Sequence, residues 1–154
     1  MKVPQCTIYT KSAGVEIGPY EKRQEAKPRE GRISLRFFKI EGGTHMLRFI
    51  VEPWEGFELS RILSSIYREG GKQALTHKFK GNNGEIITRL AVEKFERNGK
   101  PGYALIIQRE NDSINVSLAA GQFLYVAEFL RHLSMTEAWV EEPVHARGEE
   151  KPSP

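Results

Sequence analysis

Hydrophobic and polar residues alternate along most of this chain, and in two segments the repeat lengthens to that of a helix. Alternation is typical of a β-strand that has one side in a hydrophobic core and the other in solvent. The alternating segments lie at residues 5–11, 15–17, 32–40, 45–52, 73–80, 85–97, 103–109 and 113–117. Turn residues such as Gly42-Gly43 and Asn98-Gly99 separate them, so we predict antiparallel hairpins.

Apolar residues spaced three and four positions apart predict two helices. In the first helix, which begins after Pro53 and stops at Gly70-Gly71, these residues are Leu59, Ile62, Leu63 and Ile66. In the second helix, for which Ser117 is the predicted N-cap, they are Phe123, Val126, Ala127, Leu130 and Leu133.

The elements come in the order four strands and a helix, twice over. The halves cover residues 5–71 and 72–135 and share this pattern without sharing sequence. We therefore predict an α+β fold of two ββββα units, with antiparallel sheets whose helices pack on one side and leave the other side open. One domain would span residues 1–140, with a mobile loop at 23–31 and a disordered tail at 141–154.

Composition is that of an ordinary globular protein, and the cysteine count narrows the class further. Of the 154 residues, 39% are hydrophobic and 28% are charged, with a net charge of +3 and a pI near 9.0. A single cysteine, Cys6, excludes an internal disulfide and a multi-cysteine zinc site. Neither a signal peptide nor a membrane-length apolar stretch is visible, so we expect a cytoplasmic protein with no membrane partner, associated with the nucleoid if prokaryotic.

The small net charge conceals blocks of opposite sign. Residues 20–48 contain eight basic and four acidic side chains, and residues 72–109 contain eight basic and three acidic ones. The segments 49–71 and 110–140, which hold the predicted helices, are net acidic. The strands should therefore present a positive surface and the helices a negative one.

Aromatic residues stand beside the cations of the basic strands, as in Arg36-Phe37-Phe38-Lys39 and Lys94-Phe95-Glu96-Arg97. Single-stranded nucleic acid binds to this combination, because cations track the phosphates while flat rings stack on unpaired bases. Each stacked base contributes on the order of 1–3 kcal/mol, and any base has a face to stack.

Alternation sorts these rings into core residues and candidates for stacking. Phe37, Phe49 and Phe79 share a side of their strands with core residues, so we expect them to be buried. Phe95 falls on the opposite side from the apolar residues of its strand, which makes it the best candidate for an exposed stacking ring. Phe38 and Tyr103 are the next candidates.

Two short stretches resemble parts of a known group of folds. Gly71-Lys72-Gln73-Ala74-Leu75 is similar to the Lys-Gly-Lys-Ala-Ala-Leu stretch of Whirly proteins, with Gly70 in place of the first lysine. Ser113-Ile114-Asn115-Val116-Ser117-Leu118, which leads into the helical segment 119–133, resembles the last strand and helix of such units. Over residues 5–135 the order of elements resembles the fold shared by Whirly proteins, Pur-type repeats and the single-stranded-DNA-binding coactivator family known as positive cofactor four. The archaeal ThermoDBP-related single-stranded-DNA-binding proteins are a second family of similar size.

This resemblance implies a non-catalytic protein that holds single-stranded DNA, or RNA, along a sheet surface with little sequence preference. It also implies a homo-oligomer, a dimer or a tetramer, with a role in transcription or replication. The residues predicted to contact the nucleic acid are Lys72, Lys78, Lys80, Arg89, Lys94, Phe95, Arg97 and Tyr103, together with Arg36, Phe38, Lys39 and Arg48.

Motifs for catalysis or metal binding are missing from the sequence. His45, His77, His132 and His145 do not stand at metal-ligand spacing with another ligand residue, and no glycine-rich phosphate loop is present. We therefore expect no enzyme activity, no cofactor and no metal. The alternative function is a protein-interaction or assembly module that uses the helical side or the two tryptophans, Trp54 and Trp139.

Overall fold

Each half of the chain folds into a four-stranded antiparallel sheet followed by a helix, which confirms the predicted α+β fold of two ββββα units. The structure is a computed structural model that describes residues 1–42 and 45–142. Sheet A contains strands β1 (Cys6–Tyr9), β2 (Ala13–Lys22), β3 (Glu30–Lys39) and β4 (Met46–Val51), and helix α1 (Pro53–Glu69) follows it. Sheet B contains β5 (Lys72–Gly81), β6 (Gly84–Arg97), β7 (Lys100–Arg109) and β8 (Asp112–Leu118), and helix α2 (Ala120–Thr136) follows it. Strand order is sequential in both sheets.

Turns join the strands close to the positions that the sequence predicts. Asn98 and Gly99 both have positive φ, 55° and 76°, as expected for a tight two-residue hairpin turn between β6 and β7. The connection between β2 and β3 is shorter than the predicted loop at 23–31, because β3 already begins at Glu30. Gly43 lies outside the described residues, as does the predicted tail apart from Glu141 and Glu142.

The two helices begin with the same kind of hydrogen bond. In helix α1, which runs from Pro53 to Glu69, the Glu55 carboxylate accepts a hydrogen bond of 3.0 Å from the Glu52 N–H. The next residue, Gly70, has a φ of 79°, which suits a glycine that closes a helix. Helix α2 begins later than predicted, because Ser117 and Leu118 still pair with β7 and leave Ala119 to cap the helix. The side chain of Gln122 accepts a hydrogen bond of 2.9 Å from the Ala119 N–H and so satisfies one backbone donor at the start of the helix. Among the described residues, neither helix is long and apolar enough to cross a membrane.

One hydrophobic core lies between the two sheets and the helices. It contains the inward side chains of both sheets, such as Leu35 and Leu105, together with Leu63 of α1 and Leu130 of α2. The helices pack on each other, and each also contacts strands of both sheets. The helices therefore cover the core side of the sheets, and the opposite sides of both sheets point away from the core.

Tyr103 belongs to this core, so the prediction of an exposed ring at that position is wrong. Its side chain is 2% exposed and stacks on Phe123, with ring centroids 4.3 Å apart, and more loosely on Tyr67 at 5.8 Å. The physical reason is its place in β7, where Tyr103 alternates in phase with Leu105 and Ile107, both of which are buried.

The segment after α2 returns to sheet A and docks on the start of β3. Gly31 donates a backbone hydrogen bond of 3.0 Å to the carbonyl of Trp139, and Glu141 donates one of 2.8 Å to the carbonyl of Arg29. The Arg29 guanidinium also forms an ion pair with the Glu141 carboxylate. Burial raises the pKa of the Glu137 carboxyl, against the opposing effect of a hydrogen bond from the Trp139 indole. Residues 137–141 therefore form a strap over the end of sheet A.

Candidate nucleic-acid interface

The side of sheet B that points away from the core carries most of the predicted cations. Side chains of directly paired residues project to the same side of a sheet, and the pairs Lys72–Glu93, Thr76–Arg89 and Arg97–Lys100 fix which side this is. We call this surface the basic face. Its basic and aromatic members are Lys72, Lys78, Lys80, Arg89, Phe95, Arg97 and Lys100.

The cations of the basic face are exposed and available to a ligand. In residues 1–42 and 45–142 none of them forms an ion pair with a carboxylate. Glu85 and Glu93 are the acidic side chains that share the face. Because the cations outnumber these carboxylates and remain unpaired, the face carries a positive potential over the full width of β5 and β6.

Phe95 lies flat across the neighbouring strand at one end of the basic face. Its register partner on β7 is Gly102, and a Cβ atom at that position would lie only 2.6 Å from the tip of the ring. Glycine is therefore required for the ring to rest on the sheet. The Arg97 guanidinium lies over the ring, 5.5 Å from its centroid. Together they form a flat cation–aromatic platform on which a base can stack.

Sheet A repeats this arrangement on its own outer side. The Phe38 ring lies over Gly14 of β2, and the Arg36 guanidinium lies 5.1 Å from the ring centroid. Here, however, the guanidinium is held by the Glu16 carboxylate at 3.0 Å. Arg48 stands directly opposite Arg36 on β4. The outer side of sheet A is thus a weaker cationic surface than the basic face.

Besides the buried Tyr103, two predicted contact residues do not join either outer surface. Lys94 has the opposite phase from Phe95 and Arg97, and its ammonium lies 6.0 Å from the buried Tyr103 ring, on the inner side of sheet B. Lys39 ends β3 in phase with the core residue Phe37, although it is exposed. Alternation therefore turns both side chains away from the basic face.

Sequence reasoning missed three exposed residues that lie next to the predicted ones. Lys100 pairs with Arg97 on the basic face, and its phase in β7 could have revealed it. Tyr9 is 67% exposed and lies beside Gly14 and Phe38 on sheet A. Phe79 has the expected inward phase but is 47% exposed, because its strand is an edge strand that extends past the core.

Two histidines connect the halves of the chain. The His45 Nε2 lies 2.8 Å from the Asp112 carboxylate, and the His77 Nε2 lies 2.8 Å from the Glu55 carboxylate. In the described ranges no group of three or more His, Cys, Asp or Glu side chains could hold a metal ion. Burial raises the pKa of the Cys6 thiol, which disfavours the nucleophilic thiolate. These groups therefore fit a structural role.

Comparison with known proteins places the fold. No family model matches the sequence, and a search of curated proteins finds no match. Solved structures do match: the plant transcriptional regulator PBF-2 has a TM-score of 0.58 at 16% identity, over 89% of this chain and 83% of that one. WHY1 from Arabidopsis thaliana has a TM-score of 0.60 at 14% identity, over 89% of this chain and 92% of that one. WHY3 from the same plant has a TM-score of 0.56 at 17% identity, over 89% of each chain.

These three structures are Whirly proteins, and the chain has a Whirly-like fold. Each match covers 89% of this chain. At this level of identity the likeness concerns the backbone arrangement. The side chains that would touch a ligand are those of this sequence.

Proposed function

We propose that this chain binds single-stranded nucleic acid, DNA rather than RNA, on the basic face of sheet B. The observation that carries the proposal is the placement of Lys72, Lys78, Lys80, Arg89 and Arg97 beside Phe95 on one exposed surface, with no ion pair among the described residues to occupy them. Unpaired cations can neutralise phosphates, and the Phe95–Arg97 platform offers a flat surface to a base. The Whirly-like fold, which the plant transcriptional regulator PBF-2 shares, supports DNA as the ligand.

Single strands fit this surface better than a duplex does. The basic face is a sheet surface with a stacking platform at one end, and in the described part of the chain it carries no helix that could enter a groove. A ring can stack only on a base that is not already stacked and paired in a helix. Phosphate contacts and stacking are both tolerant of sequence, so we expect little sequence preference along most of the strand.

We expect labelled oligothymidylate of about 16 nucleotides to bind in fluorescence anisotropy, with an affinity that falls steeply as salt rises. Each phosphate contact contributes about −0.7 to the slope of log affinity against log salt concentration, so five contacts give a slope of about −3.5. Matched oligouridylate and a duplex of equal length serve as comparisons. Absence of binding to every oligonucleotide at low salt would remove the proposed function, and tighter binding of the duplex would assign a different surface.

Phe95 can be tested through the glycine beneath it. In Gly102→Ala the new methyl group occupies the place of the Phe95 ring tip, so the ring must leave the sheet and the platform is lost. Because the ring is the far end of a flexible side chain, we expect the melting temperature to change little while affinity falls by about fivefold or more, the low end for one stacked base. Phe95→Leu should match this loss. Wild-type affinity in both variants would exclude stacking at Phe95.

A homo-oligomer that acts in the cytoplasm is the second part of the proposal. Large apolar side chains remain exposed on the helices, among them Trp54 and Tyr125 at 60% and Met135 at 63%. Such side chains are typical of surfaces that join protein chains. They also support the alternative function, an assembly module. Light scattering measures the oligomeric state, and a monomer at micromolar concentration would contradict the oligomer.

A further inference from the structure

A cleft at the junction of the two sheets combines flat rings with fixed guanidinium groups, apart from the basic face. It has a volume of about 230 Å³ and lies between β4 of sheet A and the inner side of sheet B. Phe49 and Ile50 of β4 line one wall, and His77 and Phe79 of β5 line the other. Arg48, Thr88 and Arg109 supply its polar groups.

The Arg109 guanidinium is held in place across the junction. Its Nε donates a hydrogen bond of 2.9 Å to the hydroxyl of Thr88, which is 2% exposed. Its Nη2 donates one of 3.3 Å to the Arg48 carbonyl on the other sheet. The group also lies over the Phe79 ring, 5.7 Å from the centroid. In the described part of the chain Nη1 makes no hydrogen bond, so a positioned donor is left for a ligand.

Arg48 contributes its backbone carbonyl to the cleft, whereas the phase of β4 turns its side chain to the outer side of sheet A, opposite Arg36. Its Nε is buried and, within residues 1–42 and 45–142, has no hydrogen-bond partner. Its own guanidinium lies 5.7 Å from the Tyr20 ring. The guanidinium that faces the cleft is therefore that of Arg109, whose donor atoms are only partly used.

The walls of the cleft favour a flat ligand. Phe49 and His77 stack with centroids 4.3 Å apart and an interplanar angle of 16°, and the His77 Nε2 is engaged by Glu55. Phe79 adds a ring that is nearly half exposed. Among the described residues that line the cleft there is no carboxylate. Phe49 is itself 1% exposed beneath His77, so the aromatic surface open to a ligand is that of His77 and Phe79, beside the donors of Arg109.

We infer that the junction cleft binds one unstacked nucleobase of the bound strand and prefers guanine. Guanine presents two adjacent acceptors, N7 and O6, to which an arginine guanidinium donates in pairs. Adenine carries an amino group in place of O6 and would direct a donor at the donors of Arg109. This inference rests on the proposed function and adds to it: the protein selects the base at one position of the strand and accepts any base at the others.

The test compares oligothymidylates of about 16 nucleotides that carry a single central guanine, adenine or cytosine. We expect the guanine oligomer to bind at least about fivefold more tightly than the adenine one, the low end for a bidentate contact. Equal affinity for all three, or a preference for adenine or cytosine, would overturn the base site while leaving the proposed function intact. No binding to any of them would instead remove the proposed function.

Arg109→Lys separates base reading from charge. Lysine keeps the positive charge but lacks the planar fork, so guanine and adenine oligomers should bind equally while plain oligothymidylate changes by less than about twofold. Arg61→Lys, at an exposed position of α1, is the matched control and should keep the guanine preference. If Arg109→Lys weakens all oligomers by the same factor, the cleft holds a phosphate and the base site is wrong.

A second variant covers the case in which Arg109→Lys does not fold. Phe79→Leu removes an exposed ring and should fold, since Phe79 is outside the core. We expect it to lower the ratio of the guanine affinity to the adenine affinity towards one. Phe57→Leu, at a partly exposed ring on α1, should leave this ratio unchanged. An unchanged preference in folded Phe79→Leu would exclude the cleft as the site of base recognition.

Discussion

Reversal of two charges in Lys78→Glu/Lys80→Glu should abolish most binding of single-stranded oligonucleotides. Both lysines are exposed, and they project from β5 to the same side as Arg89. At about 0.1 M salt, each phosphate contact with a slope of 0.7 corresponds to about a fivefold gain in affinity. Loss of two contacts gives about 25-fold, and repulsion between the new carboxylates and the phosphates adds to this.

The neutral variant Lys78→Gln/Lys80→Gln measures the number of contacts directly. Its log–log salt slope should be less steep than that of the wild type by about 1.4, and equally so for all sequences, because phosphates carry no sequence information. The matched control is Lys27→Gln/Arg61→Gln, which removes the same charge from exposed positions outside the basic face. If this control lowers affinity as much as the β5 variant, binding follows net charge and not the basic face.

Gly31→Ala should destabilise the protein far more than Gly102→Ala does. A Cβ atom at Gly31 would overlap the backbone carbonyl of Glu137 and crowd the Trp139 indole. Because a backbone atom cannot swing aside as a side chain does, the strap of residues 137–141 must leave β3. The hydrogen bond from Gly31 to Trp139 and the ion pair between Arg29 and Glu141 are then lost. We expect a loss of about 3 kcal/mol, at the upper end for overpacking.

Thermal unfolding followed by circular dichroism measures this loss, which corresponds to a melting temperature lower by about 9 °C. Gly121→Ala is the matched control. Nothing lies within 4 Å of a Cβ at that position in α2, so alanine should stabilise the helix by up to about 1 kcal/mol. A Gly31→Ala protein that melts with the wild type would show that the strap does not dock on β3.

Alternation along the strands predicts which side of each sheet a residue occupies, and two residues of the predicted site lie on a different side from the rest because it was not applied to them. Tyr103 has the phase of Leu105 and Ile107, and it is buried with them. Lys94 has the opposite phase from Arg97 and lies on the inner side. Phe95, which the same reasoning placed on the outer side, does lie there beside the cations. Whether these residues contact nucleic acid stays a prediction.

Other features of the site depend on residues that are distant in sequence. Gly102 makes room for Phe95, and Gly14 makes room for Phe38, only because the register places each glycine opposite its ring. Arg36 forms an ion pair with Glu16 on the neighbouring strand, whereas Arg97 has no ion pair among the described residues. No local pattern distinguishes these two arginines, because each depends on the strand that pairs beside it.

By itself the sequence determined the elements, their order and the side on which most residues lie. These follow from local periodicity and turn residues, since a strand repeats every two residues and a helix about every 3.6. Only the tertiary structure decided what covers each side. In the folded chain Phe79 lies at the exposed edge of the core. Arg109 donates a hydrogen bond to the Arg48 carbonyl on the other sheet, and the strap of residues 137–141 packs on Gly31. Such contacts arise from the packing of one sheet against the other, and the period of a single strand carries no information about it.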